Sequence, residues 1–67
     1  MNKFAERLKE LRIEKNLSQN ELSKQIGISV ACINRWENNL RIPNIDSIMI
    51  LCKFFGCTAD YLIGLED

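Results

Sequence analysis

Phe4, Leu8 and Leu11 recur at the spacing of one helical face, with Lys3, Glu6, Arg7, Lys9, Glu10 and Glu14 around the other sides. This pattern predicts an amphipathic helix from about residue 3 to 15. Leu17 anchors a second pattern, in which Leu22 and Ile26 continue the apolar stripe. Ser18 stands three residues ahead of Glu21, so its hydroxyl and the carboxylate can each take an open amide of a first turn. Gly27 follows the last apolar position, where a left-handed stop suits glycine, and the second helix therefore runs from about Gln19 to Ile26. After the short turn Gly27-Ile28-Ser29, Ser29 can cap a third helix over 30–37, with Ile33 and Trp36 turned inward. Two helices joined at this spacing form a helix-turn-helix unit, whose second helix is the candidate for insertion into DNA.

Beyond Glu37 the pattern breaks through Asn38-Asn39-Leu40-Arg41-Ile42-Pro43, and Asn44 is placed to cap a fourth helix from about Ile45 to Phe55, closed by Gly56. Thr58 can cap a last short helix through Ile63, with Asp60 in its first turn and Gly64 at its end. The expected fold is all-α, a compact five-helix domain over residues 1–67. Helix four is too apolar for one buried face. Ile45, Ile48, Leu51, Cys52 and Phe55 satisfy the core period, which leaves Met49, Ile50 and Phe54 for either a partner interface or a broad, partly exposed core.

A chain of 67 residues has room for one economical core, for which all-helical packing is suited. No run approaches the roughly 18 apolar residues of a membrane span. The charged first stretch, Met1 to Arg7, does not match a signal peptide, and a cytoplasmic, bacterial or phage-encoded protein is expected at the nucleoid. Cys32, Cys52 and Cys57, without a CxxC pair and without histidine, read as reduced packing thiols; neither a metal nor a cofactor is expected. The formal charge is zero, but unevenly laid out: residues 1–53 carry all nine cations against six acids, and residues 54–67 carry only Asp60, Glu66 and Asp67. A basic region with an acidic tail is compatible with phosphate contact.

The chain resembles the phage repressor and Cro family, the five-helix domains also called xenobiotic-response-element type helix-turn-helix proteins. The resemblance rests on Arg7-Leu8-Lys9-Glu10-Leu11-Arg12, Leu17 to Ser23, Gly27-Ile28-Ser29, Ile33 to Asn38, Pro43, and Phe55 to Leu62, in that order and spacing. It implies that Gln19 touches a phosphate and braces the reading helix, and that Val30, Ala31, Asn34 and Arg35 face the major groove. It also implies that Asn38, Asn39 and Arg41 hold the phosphate chain, and that Arg12 and Glu37 form an internal ion pair. Three departures stand out. Val30 and Ala31 replace side chains that are often polar, and offer a base edge only apolar contact, as to a thymine methyl. Asn39 stands where glycine is usual, and asparagine also tolerates left-handed backbone. Cys32 and Ser23 stand where threonine and alanine are frequent.

The sequence-level expectation is a sequence-specific transcriptional regulator of double-stranded DNA, a repressor that inserts helix 30–37 into the major groove. Arg35 suits guanine or, if it runs outward, a phosphate. An enzyme is not expected, because no acid, base and nucleophile cluster suggests a cleft. The alternative is a protein interaction module using the apolar side of helix 45–55. One short helix reads few bases, so a weak two-fold dimer, strengthened on a palindromic operator, is expected through Ile50, Phe54 and Tyr61.

Overall fold

The computed structural model describes residues 3–66, in the element order α1 (Phe4–Glu14), α2 (Gln19–Ile26), α3 (Val30–Glu37), α4 (Ile45–Phe55) and α5 (Ala59–Ile63). No strand occurs among the described residues. Four of the five helices begin where a side chain closes the first turn. Ser18, Ser29, Asn44 and Thr58 each accept from the amide three residues on, and at α2 Glu21 returns a bond to the Ser18 amide at 2.8 Å. That bond, together with the Ser18 hydroxyl, holds the exposed Glu21 carboxyl below its ordinary range. The turn after α2 needs left-handed backbone at Gly27, φ 71°, although a Cβ there would meet no atom within 4 Å. Glycine is required by the chain path and not by crowding.

Phe4, Leu8, Leu22, Ile33, Trp36, Leu51 and Leu62 form the core, one or two from each helix. Trp36 stands edge-on to Phe4 at 6.0 Å between ring centroids, joining the start of α1 to the end of α3. α3 packs on α1 and α2, while α5 packs on α1 and α4. Cys32, Cys52 and Cys57 are unbridged and half-buried against this core. Burial pushes the Cys57 thiol up to about 11, and the neighbouring Cys52 adds to the shift.

Three sequence expectations need correction or refinement. Ile45, assigned to the core by its period, is 75% exposed, because no neighbouring helix covers that side of the first turn of α4, where Leu40 and Ile42 of the preceding loop are exposed as well. Phe54, for which the core period left no partner inside the domain, is half-buried against the core, edge-on to Phe55 and beneath the Lys15 ammonium at 5.4 Å from the ring centroid, as the broad-core alternative has it. Arg7, placed on the polar side of α1, is buried. Its guanidinium lies 4.2 Å from the centroid of the Tyr61 ring and donates to the carbonyls of Tyr61 and Glu66. A guanidinium can occupy that position because one carbonyl in the last turn of α5 and one in the segment beyond it accept its hydrogens and the ring face accepts its charge.

Candidate nucleic-acid interface

The second helix of the pair is fixed from behind and open in front. Behind it, Arg12 reaches from α1 to the last residue of α3: Nε donates to Glu37 Oε2 at 2.7 Å and Nη2 to Oε1 at 2.9 Å. The remaining nitrogen, Nη1, donates to the Leu17 carbonyl at 2.7 Å, so one guanidinium ties together α1, the approach to α2 and the end of α3. The side chains of Arg12 and Glu37 are only 12% and 3% exposed. Hydrogen bonding to Glu37 raises the Arg12 guanidinium above its ordinary value.

Gln19, the first residue of α2, completes the acceptor set of the buried carboxylate. Its Nε2 donates to Glu37 Oε1 at 3.1 Å, and its Oε1 accepts from Asn34 Nδ2 at 3.3 Å. The turn itself is pinned by the Ser23 hydroxyl, which donates to the Ile28 carbonyl at 2.6 Å. The replacement of a small apolar residue by serine therefore adds a tie within the turn, a role that the sequence pattern did not signal.

In front, Val30, Ala31, Asn34 and Arg35 are all exposed along one side of α3. Apart from its bond to Gln19, the Asn34 side chain has no partner among the described residues, and Arg35 has none. Beyond α3, Asn38 donates from Nδ2 to the Asn34 carbonyl at 2.9 Å, and Asn39 takes φ 62°, the left-handed conformation that glycine or asparagine adopts most readily. Asn38, Asn39 and Arg41 are exposed, and Arg41 is unpaired among the described residues. The structure thus brings Gln19, Asn34, Glu37 and Arg12 into one bonded series and leaves Arg35, in the last turn of α3, and Arg41, in the loop beyond it, as open cations. The residues proposed for self-association are spread differently. Ile50 is 39% exposed, whereas Phe54 and Tyr61 are half-buried beneath Lys15 and Arg7. Arg7 is the residue that sequence reasoning missed; an arginine three positions after Phe4 and directly before Leu8, among the charged residues of α1, gave no signal of its inward course.

Comparison with known proteins agrees with this geometry. The chain is 39% identical over 64 residues to the transcriptional activator BcrR of Enterococcus faecalis, covering 96% of this chain and 31% of that protein. It is 33% identical over 60 residues to repressor protein C2 of Salmonella phage P22, covering 90% of this chain and 28% of the repressor. The chain therefore spans less than a third of the length of either relative. The P22 c2 repressor solved in complex with a synthetic operator superposes with a TM-score of 0.84 at 32% identity, covering 90% of this chain and 91% of that one. The solution structure of an SOS-response repressor, LexA of Eubacterium rectale, gives 0.84 at 30% identity over 96% of this chain and 66% of that one. No helix among the described residues is long and apolar enough to cross a membrane. A helix-turn-helix family model matches residues 8–62, and with the capped helix pair, the buried Arg12–Glu37 brace and the five-helix order this establishes that the chain belongs to the helix-turn-helix family, in its phage repressor and Cro branch.

Proposed function

We propose that the chain is a sequence-specific transcriptional regulator of double-stranded DNA, a repressor acting in the cytoplasm of a bacterium on chromosomal or phage DNA. The observation that carries this reading is the exposed strip of α3, whose polar residues Asn34 and Arg35 stand clear of the core while Glu37 at the same helix's end is locked to α1. Val30 and Ala31 meet thymine methyls, and Asn34 and Arg35 supply the polar base contacts. Gln19, Asn38, Asn39 and Arg41 hold the phosphates on either side, with the open amides at the start of α2 assisting.

A single α3 of eight residues covers few base pairs, so two copies act about one helical turn apart, roughly 34 Å, on a palindromic operator. The longest extent of one domain is 27 Å, which leaves room for two copies on one face of the duplex with their flanks adjoining. Contact between them runs along the outer side of α4 at Ile50, with Phe54 and Tyr61 at its margin. Selection of bound fragments from random duplex DNA tests the reading. Enrichment of a two-fold motif is expected; retention of all fragments alike, or of none, overturns it.

A further inference from the structure

The bonded series behind α3 has a direction. A carboxylate has only acceptors, so Glu37 Oε1 takes hydrogens from Arg12 Nη2 at 2.9 Å and from Gln19 Nε2 at 3.1 Å. The Gln19 amide is thereby turned nitrogen inward and oxygen outward. Its oxygen accepts from Asn34 Nδ2 at 3.3 Å, which turns the Asn34 amide in its own right: one Nδ2 hydrogen is occupied, while Oδ1 and the second hydrogen remain open on the exposed side of α3. Reversing the Gln19 amide would set its oxygen against the Glu37 carboxylate and its nitrogen against Asn34 Nδ2, and reversing the Asn34 amide would set two amide oxygens against each other.

We infer that Asn34 reads an adenine, with the order of its two contacts set from the protein core through Arg12, Glu37 and Gln19. Adenine presents an N6 donor beside an N7 acceptor in the major groove, the complement of an outward Oδ1 beside an N–H. Guanine presents two acceptors at those places and cytosine a single donor, so neither matches both atoms. Because the amide is held one way round, the contact also specifies which strand carries the adenine. Gln19 is then a positioning residue whose side chain acts on the base through Asn34, while its main-chain amide remains for a phosphate. This inference rests on the proposed DNA-binding function and deepens it.

The test uses the whole chain and the duplex enriched by selection. First, wild-type binding to that duplex is compared with a scrambled one; equal binding overturns the DNA-reading function, and this inference with it. Given specific binding, each base pair of the half-site is exchanged in turn for wild type, Asn34→Ala, Asn34→Asp and Gln19→Met, and 7-deazaadenine replaces each adenine. At one A·T pair, exchange or loss of N7 is expected to weaken wild-type binding by about 5- to 150-fold, the range of a bidentate base contact. Asn34→Ala is expected to be indifferent at that pair alone, and Asn34→Asp, which has lost its donor, to accept cytosine there. Gln19→Met is expected to narrow discrimination at the same pair while preferences elsewhere persist, which a general loss of affinity does not do. Dependence of Asn34 on another base, or on none, overturns the inference. Unaltered discrimination in Gln19→Met overturns the relay.

Discussion

At the scale of single residues, the heaviest single dependence falls on Glu37, whose side chain is 3% exposed and accepts from both Arg12 and Gln19. Glu37→Gln leaves the buried guanidinium without its anion and, whichever way the new amide turns, sets its N–H against a donor of Arg12. A loss of about 3 kcal/mol or more is expected in urea denaturation, against ~1 or less for a surface pair. Cys57 gives a second expectation. Its thiol is raised to about 11 by burial and by Cys52, so the folded state holds that proton more tightly than the unfolded chain. The stabilisation is complete below the ordinary thiol value and is lost as pH rises through about 11. Stability measured over that alkaline range is expected to fall less steeply in Cys57→Ala than in wild type; parallel curves would contradict the assignment.

At the scale of elements, the boundaries of α2 to α5 were legible in the sequence because local chemistry writes most of them, whereas those of α1, which has no capping side chain at its start, were read from its apolar period. Ser18 with Glu21, Ser29, Asn44 and Thr58 set the starts, and Gly27 and Gly56 the stops, through bonds that span three or four residues. What faces inward was less legible. A helical period groups Ile45 with Ile48 and Leu51 but does not say how far the neighbouring helices reach, and Ile45 is left uncovered. The same limit hid Arg7, since its burial is set by Tyr61 and Glu66, 54 and 59 positions away in sequence. The Arg12–Glu37 contact spans 25 positions, and only its placement within a family pattern pointed to it. Asn34 was legible as an exposed polar residue of α3 and Gln19 as a brace for that helix, but not that the brace runs through the Glu37 carboxylate and the Asn34 amide. The α5 helix has five residues, too few to persist alone, and Arg7 ties the Tyr61 carbonyl in its last turn to the Glu66 carbonyl beyond it. Arg7→Ala is expected to speed amide hydrogen exchange at Leu62, Gly64 and Leu65 by at least tenfold while α2 and α3 keep their protection; uniform loss of protection would mean a global effect.

At the scale of the whole molecule, the open question is how two copies meet, and the exposed apolar positions of α4 narrow the choice of variant. Phe54 is half-buried beneath Lys15, so its replacement disturbs the fold, whereas Ile50 is 39% exposed. Sedimentation of Ile50→Glu with a palindromic duplex is expected to show independent binding of two molecules where wild type binds them cooperatively. Unchanged cooperativity would place the contact elsewhere. The contact between Gly64 and Lys3 carries a different consequence. A Cβ on Gly64 would lie 3.0 Å from the Lys3 amide nitrogen and 3.1 Å from its Cβ, so the backbone returns at the end of α5 to where α1 began and traces a nearly closed ring. A ring can be opened elsewhere. Joined through a short glycine linker and cut at the exposed Asn39-Leu40 peptide, the same helices are expected to keep their neighbours in a new order of synthesis, at the cost of the tie from the Leu40 amide to the Arg35 carbonyl.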